Sequence, residues 1–189
     1  MQNVKKYVDI LRGGGVGIVP TDTIYGIVGS ALNARAVERI YSVRDRQRTN
    51  PMIVLVSSLE DLLLFDVDES LRRSLDEFWS VDSLRPTSVI LPCIQERFSY
   101  LHRGSESIAF RLPLGECHAV FRDFLQKTGP LVAPSANVEG QPHAETISQA
   151  RDYFGDKVDF YLMADKEPFC AEPSRIVRVS SSGVDVLRA

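Results

Sequence analysis

The sequence lacks the features that would assign it to several large classes of proteins. Its three cysteines, Cys93, Cys117 and Cys170, are widely spaced and form no Cys-x-x-Cys or Cys/His pattern, so we expect free thiols. No apolar run is long enough to span a membrane, and the first residues do not resemble a signal peptide. We therefore expect a cytoplasmic protein that makes no membrane contact.

Common catalytic and nucleotide-binding motifs are also missing. The glycines of residues 13–17 do not fit Gly-x-Gly-x-x-Gly, because Ile18 stands where the third glycine would be. No Gly-Lys-Ser/Thr, Gly-x-Ser-x-Gly or His-Glu-x-x-His sequence occurs, and His102, His118 and His143 lack the spacing of zinc ligands. We expect no metal-ligating residues. With a net charge of −3, RNA binding would require a local basic patch.

The composition is that of a soluble globular protein. Hydrophobic residues make up 44% of the 189 and charged residues 25%, and the length fits one domain spanning residues 1–189. Segments of helical periodicity alternate with short apolar runs. This alternation predicts an α/β fold, a single domain in which helices flank a twisted, mixed and open sheet.

The hydrophobic pattern also predicts where the elements lie. Helices are predicted around residues 4–11, 34–41, 58–65, 69–79, 117–126 and 146–154. Strands are predicted at residues 16–20, 52–56, 88–91, 107–112, 131–133, 158–163, 175–179 and 184–187, with another inside 21–29. Asn33 is predicted to cap the second helix, and Val120 to face inward from the fifth. The last two strands are expected to form an edge hairpin, after a Pro- and charge-rich connection at 165–173.

A polar loop follows the apolar run at residues 131–133. Its sequence, Pro-Ser-Ala-Asn, places Ser135 and Asn137 at the carboxyl end of a buried strand, where ligands bind in open α/β sheets. Gly140 and Pro142 then interrupt the chain before the next helix. The alternative interpretation is an ordinary connection that happens to be polar.

Hydroxyl groups are concentrated between Pro20 and Gly26. Thr21, Thr23 and Tyr25 alternate, so in an extended segment they would share one face and offer donors and acceptors to a small polar ligand. The alternative is a strand in which threonine and tyrosine are present only for their β propensity.

Arginines form the third candidate feature. Five arginines but only two acids lie within residues 35–48, and Arg44 and Arg46 come just after a helix, where guanidinium groups could bind phosphate. The alternative is a solvated helix face, which accounts well for Arg35 and Arg39. Arg111 lies inside an apolar strand, so it must be paired or reach a ligand cavity, and no carboxylate in the sequence is an obvious partner.

Together these segments resemble the YrdC-like family of L-threonylcarbamoyladenylate synthases, from about Gly15 to Arg188. The resemblance rests on several motifs in the family's order. They are Pro-Thr-Asp-Thr-Ile-Tyr-Gly at 20–26, Arg-Asp-Arg at 44–46 with Asn-Pro at 50–51, Arg-Pro-Thr-Ser at 85–88, Ile-Ala-Phe-Arg-Leu-Pro at 108–113, Ala-Pro-Ser-Ala-Asn at 133–137 and Pro-Ser-Arg-Ile at 173–176.

The resemblance implies a sheet around a basic cavity and an adenylate-forming reaction. L-threonine, bicarbonate and ATP, with Mg²⁺ accompanying the nucleotide, would give threonylcarbamoyl-AMP and pyrophosphate for the threonylcarbamoyladenosine modification of tRNA. By similarity, the threonine-binding residues would be Thr23, Arg111 and Ser174, to which the hydroxyl pattern adds Tyr25. The ATP-binding residues would be Arg46, Asn50, Ser88, Ser135 and Arg188, with Asn137 beside them. Arg44 stands in place of the family lysine. Arg44 and Arg46 are the expected catalytic residues. A tRNA or a downstream tRNA-modifying complex would be the partner.

The chain also departs from the family pattern. Arg44 replaces a lysine, and Leu55 stands where many members carry a histidine near threonine. Two alternative functions therefore stay open. One is a non-catalytic module that binds tRNA or double-stranded RNA through residues 35–48. The other is a carbamoyl-adenylate transferase of the same fold.

Overall fold

The predicted segments fold in their predicted order, but the helix predicted at 58–65 is a 3₁₀ helix, Leu59–Phe65, and a short helix at Ser99–His102 was not predicted. The computed structural model describes residues 4–73, 75, 78–79, 85–165, 172–180 and 183–188. The strands are β1 (Val16–Pro20), β2 (Tyr25–Ser30), β3 (Val54–Leu55), β4 (Thr87–Pro92), β5 (Ser107–Arg111), β6 (Leu131–Val132), β7 (Phe160–Tyr161), β8 (Arg175–Ser180) and β9 (Gly183–Arg188). The α-helices are α1 (Val4–Arg12), α2 (Ala34–Val43), α3 (Glu69–Arg73), α4 (Ser99–His102), α5 (Ala119–Thr128) and α6 (Ile147–Phe154).

The strands of the described residues form one mixed sheet in the order β7-β1-β2-β6-β3-β5-β4-β8-β9. Neighbours β1/β2, β2/β6, β3/β6, β4/β5 and β8/β9 are antiparallel, whereas β1/β7, β3/β5 and β4/β8 are parallel. Hairpin β8–β9 lies at one edge, as expected. The predicted α/β fold with a mixed sheet and flanking helices is confirmed.

Hydrophobic cores cover both faces of the sheet, because neighbouring strand residues point to opposite sides. Ile27 packs on the side of α2, whereas Val28 packs on the side of α1 and α5. Helix α2 begins at Asn33, whose side chain accepts hydrogen bonds from the Arg35 and Ala36 N–H groups, as predicted for a cap. Within the described residues no helix is both long and apolar enough to cross a membrane.

The boundaries differ from prediction where tertiary pairing decides them. The helix predicted at 69–79 ends at Arg73, and residues 74, 76, 77 and 80 of that region lie outside the described residues. Strands predicted at 52–56 and 158–163 pair over only two residues each. Val120, predicted to face inward, is 83% exposed, because α5 begins only after a 3₁₀ turn at Glu116–His118. Cys170 and most of the predicted connection at 165–173 lie outside the described residues.

Candidate active site

A cavity of about 390 Å³ lies against the sheet and gathers widely separated parts of the sequence. Its walls come from residues within 21–26, 44–46, 51–53, 133–143 and 173–176, together with Arg111 and Arg188. The predicted site residues that line it are Thr23, Arg44, Arg46, Arg111, Ser135, Asn137, Ser174 and Arg188. Tyr25, Asn50 and Ser88 are described but do not line it.

Arg44 connects the end of α2 to the Ser-Ala-Asn loop and is only 2% exposed. Its Nε donates to the Asn137 carbonyl at 2.9 Å, and its Nη2 donates to Asn137 Oδ1 at 3.0 Å and to Ser135 Oγ at 3.3 Å. Burial, and then the nearby charge of Arg46, lowers the pKa of Arg44 to about 10, which leaves it protonated at neutral pH. Arg44 therefore holds both polar side chains of the loop and supplies positive charge beside them.

Asn137 closes the loop on itself. Its Nδ2 donates to the carbonyls of Val138 and Gln141 at 2.9 and 2.7 Å. Gly140 has a φ of 83°, a left-handed conformation that glycine adopts without a steric penalty. Glycine at this position thus allows the tight turn that brings residues 141–143 back to the cavity wall.

Arg46 is held by its own loop and by one carboxylate. Its Nε and Nη2 donate to the carbonyls of Asn50 and Pro51 at 3.3 and 3.2 Å, and its Nη1 lies 3.6 Å from Glu139 Oε1. Glu139 also accepts from the Gln47 N–H at 2.6 Å; this bond, and then the charge of Arg46, lowers the pKa of Glu139. Asn50 is exposed and its amide donates to Glu139, so its side chain supports this loop from outside the cavity.

Arg111 has a carboxylate partner that the sequence did not reveal. Its Nη2 donates to Asp22 Oδ1 at 2.8 Å, and the two side chains are 4% and 1% exposed. The same nitrogen lies 3.3 Å from Thr23 Oγ1, and Nη1 donates to Ser174 Oγ at 3.1 Å. Arg111 therefore has a carboxylate partner, contrary to expectation. This partner was not evident in the sequence because the two residues are 89 positions apart.

Ser174 is the common acceptor of two arginines. Its Oγ accepts from Arg111 and, at 3.2 Å, from Arg188 Nη2, while its carbonyl accepts from Arg188 Nε at 2.8 Å. Burial, followed by the charge of Arg111, lowers the pKa of Arg188. Ser88 is fully buried behind Ser174, with the two hydroxyl oxygens 2.8 Å apart. Ser88 therefore supports the wall through Ser174 and does not form it.

Tyr25 does not share a face with Thr21 and Thr23. The Thr21 N–H and Oγ1 both donate to the Ile24 carbonyl, so the chain turns before β2 begins and the predicted extended alternation breaks down. Both threonines line the cavity, whereas the Tyr25 hydroxyl accepts from the Ala164 N–H at 2.8 Å in the core. The assignment of Tyr25 to the ligand-binding face is wrong.

Leu55 adds no polar group near Arg111. It pairs with Arg111 across β3 and β5, but its side chain is fully buried with Val28, Phe124 and Leu131. The position where many family members are expected to have a histidine is therefore part of the apolar core.

Arginines on the outer surface are mostly paired with acids. Arg39 lies 2.6 Å from Asp159, while Arg48 and Arg103 lie 2.8 and 2.6 Å from Glu38. Glu38 is already one of the two acids within residues 35–48, so Asp159 is the acid from outside the segment that these pairs add.

Three buried polar atoms of the cavity wall have no hydrogen-bond partner among the described residues. They are Arg44 Nη1, Arg111 Nε and His143 Nε2. Leaving such atoms unpaired is costly, so their presence favours a polar ligand that accepts from the two guanidinium groups. No group of three His, Cys, Asp or Glu side chains in the described part of the chain could hold a metal ion.

Sequence reasoning missed Asp22 and His143. Asp22 stands between two threonines already assigned to a ligand site, and a lone arginine in a strand requires a carboxylate, so the pair could have been inferred. His143 follows Asn137 in the same loop, but the histidines were compared only for zinc spacing. Its position in that loop was the available signal.

A family model matches most of the sequence. The model is Sua5_yciO_yrdC, described as telomere recombination, and it covers residues 9–189. The chain belongs to the Sua5/YciO/YrdC family. The resemblance drawn from the Pro-Thr-Asp-Thr and Pro-Ser-Ala-Asn motifs is thereby confirmed, because both motifs lie inside the matched region.

Relatives of this Sua5/YciO/YrdC chain match over most of its length. A Mycobacterium leprae protein is 32% identical over 190 residues, which cover 100% of this chain and 83% of that protein. An Idiomarina loihiensis protein, named threonylcarbamoyl-AMP synthase, is 30% identical over 166 residues, 86% of each chain.

Two solved structures of related folds superpose closely. Pyrococcus abyssi Sua5 complexed with L-threonine gives a TM-score of 0.78 at 22% identity and covers 99% of this chain. Full-length HypF in a phosphate- and nucleotide-bound form gives 0.80 at 16% identity, covering 98% of this chain and 28% of HypF. At these identities the likeness establishes the fold. This chain spans about half of the Sua5 chain, 54% of its length.

Proposed function

We propose that the chain is an L-threonylcarbamoyladenylate synthase. The observation that supports this most is the convergence of two arginine-centred groups on one cavity. One group joins Arg111, Thr23 and Ser174, and the other joins Arg44 to Ser135 and Asn137. Two separate anion-binding groups suit an enzyme that holds the carboxylate of an amino acid and the phosphates of a nucleoside triphosphate at the same time.

The Arg111 group is the proposed threonine site. The Arg111 guanidinium group lines the cavity and matches the α-carboxylate, and the Thr23 and Ser174 hydroxyls flank it. The proposed ATP site combines Arg44, Arg46, Ser135 and Asn137. Arg188, which the resemblance assigned to ATP, donates to Ser174 and therefore adds its charge beside Arg111. Ser88 and Asn50 would act from behind these walls, through Ser174 and through the Arg46 loop.

The reaction needs no nucleophile from the protein. The threonine amine captures bicarbonate as a carbamate with release of water, and a carbamate oxygen then attacks the α-phosphorus of ATP. The bond to the β-phosphate oxygen breaks and pyrophosphate leaves. The protein would contribute by aligning two anions and by stabilising the negative charge on the phosphates, the proposed role of Arg44 and Arg46 in the cavity wall.

Magnesium is proposed to arrive with the nucleotide. The described residues around the cavity offer arginines and hydroxyls but no carboxylate group that could hold the ion, so phosphate oxygens would be its main ligands. When bound, it would further neutralise the triphosphate. The threonylcarbamoyl-AMP product would pass to a downstream tRNA-modifying complex.

A pyrophosphate-release assay tests the proposal. Pyrophosphate should appear only when ATP, L-threonine and bicarbonate are all present. Arg46→Ala should lower the rate by about 100-fold, since it removes a cationic wall of the phosphate site, as loss of one charge-stabilising donor typically does. Arg48→Ala, an exposed arginine two residues away, is the matched control and should keep the wild-type rate.

Other outcomes point to the alternative functions. Release of pyrophosphate without threonine would contradict the substrate assignment, and release supported by carbamoyl phosphate would favour a carbamoyl-adenylate transferase. Absence of turnover, combined with tight and salt-sensitive RNA binding, would favour the non-catalytic module.

A further inference from the structure

We infer that Asp22 is a specificity-determining residue that sets the charge of the Arg111 end of the cavity so that it accepts a carboxylate and rejects phosphate. The identification of the carboxylate as that of threonine rests on the proposed function. The discrimination between carboxylate and phosphate rests on the charges alone, and nothing in the family resemblance assigned a role to this acid.

Asp22 is placed to act on Arg111 and not on a ligand. Its carboxylate accepts from Arg111 Nη2 at 2.8 Å, its side chain is 1% exposed, and it does not line the cavity. Arg111 does line the cavity, with its Nε–H unpaired among the described residues. A ligand therefore meets the guanidinium group but not the carboxylate behind it.

The charges at this end can be counted. Arg111 and Arg188 both donate to Ser174 and contribute two positive charges, and Asp22 removes one, which leaves one. One positive charge matches a single carboxylate. Without Asp22 the same place would have two, which matches a phosphate dianion.

At the other end of the cavity the compensating carboxylate, Glu139, is much more exposed than Asp22. Arg44 is bound by the neutral groups of Ser135 and Asn137, and the described residues give it no carboxylate within ion-pair distance. Arg46 lies 3.6 Å from Glu139, whose side chain is 29% exposed and therefore partly screened by solvent. The buried charge at the Arg44 end thus stays available to a polyanion.

This difference would sort the two substrates within one cavity. A buried, fixed carboxylate acts strongly because few water molecules screen it, and repulsion of the wrong ligand is a common source of specificity. ATP, pyrophosphate and phosphate would be directed to the Arg44 end, leaving the Arg111 end free for the amino acid.

Calorimetric binding of inorganic phosphate and of L-threonine tests the inference. Asp22→Asn keeps the size of the side chain and an oxygen acceptor but removes its charge. We expect this variant to bind phosphate about tenfold more tightly than the wild type, and phosphate to compete with L-threonine in the variant only. Asp123→Asn, an exposed aspartate paired with Lys127 on α5, is the matched control and should leave both affinities unchanged.

A double variant and a wild-type measurement complete the test. Asp22→Asn combined with Arg111→Gln should lose the added phosphate affinity, since the exposed charge is then gone. A folded Asp22→Asn protein with wild-type phosphate affinity would overturn the inference. If that variant does not fold, competition in the wild type decides, because phosphate that displaces L-threonine as readily as it displaces ATP would also overturn it.

The two proposals can fail separately. Lack of L-threonine binding by the wild type would contradict the proposed function. The gain of phosphate affinity in Asp22→Asn needs no threonine and would still decide the role of Asp22.

Discussion

Arginines close together in the sequence end in two different environments. Arg44 is 2% exposed and bonded to neutral groups of the Ser-Ala-Asn loop, whereas the Arg39 and Arg48 side chains are 37% and 65% exposed and paired with Asp159 and Glu38. Surface acids thus pair with these two exposed side chains, whereas Arg44 has no carboxylate within ion-pair distance among the described residues. Two arginines of this segment, Arg44 and Arg46, line the cavity, which favours a nucleotide site over an RNA-binding surface for this pair.

Removing the buried arginine should have the largest effect. Arg44→Ala deletes the cavity charge and leaves the Asn137 side-chain oxygen without its donor. We expect pyrophosphate formation to fall by about 100-fold to 1,000-fold, the range typical of losing a preorganised charge-stabilising group. The rate of pyrophosphate release at saturating L-threonine and bicarbonate measures this.

Two controls separate charge from position. Arg44→Lys keeps the charge but lacks the second nitrogen that donates to the Asn137 carbonyl, so its activity should lie between those of Arg44→Ala and the wild type. Arg39→Ala removes a surface charge and should change the rate by less than about twofold. An equal loss in Arg39→Ala would remove the distinction between the two environments.

Local patterns were sufficient to predict most of the fold. The apolar spacing in α1 and α2 and the Asn33 cap depend only on neighbouring residues, and these elements lie where they were predicted. The errors arise where distant residues decide. Strand β3 ends where its partners end, and the inward face of α5 depends on how that helix packs against α1.

The site was predictable as segments but not as contacts. The Pro-Thr-Asp-Thr and Pro-Ser-Ala-Asn motifs marked two cavity walls, because clustered hydroxyls and amides after apolar strands indicate a ligand site. Periodicity could not reveal that Asp22 pairs with Arg111, since Asp22 lies in the turn between β1 and β2 and Arg111 lies in β5, 89 positions away. It also misplaced Tyr25, because a hydrogen-bonded turn interrupts the assumed extension.

An intermediate effect is expected where two arginines share one acceptor. Ser174→Ala leaves Arg111 and Arg188 without a buried hydroxyl oxygen, so the free energy of unfolding should fall by about 1–2 kcal/mol. Urea unfolding measures the change. Ser42→Ala, which removes an exposed hydroxyl bonded to its own helix, should change stability by less than about 0.5 kcal/mol. Equal losses in both variants would show that the hydrogen bonds of Ser174 contribute no more to stability than those of an exposed serine.

The smallest effect should come from the surface pair that Arg39 makes with Asp159. The hydrogen bond from Arg39, assisted by the Val16 N–H, lowers the pKa of Asp159 below its usual 3.8. A carboxyl group with a lowered pKa stabilises the fold above 3.8, and this contribution is lost as the pH falls through the folded-state pKa. Both side chains are more than one third exposed, so solvent screening limits the contribution to about 1 kcal/mol. Asp159→Asn should therefore unfold at a lower urea concentration than the wild type at pH 7, and the difference should shrink as the pH falls below 3.8 through the lowered pKa of Asp159. Arg39→Ala should retain part of this pH dependence through Val16, and a difference that stays constant with pH would contradict the charge-based explanation.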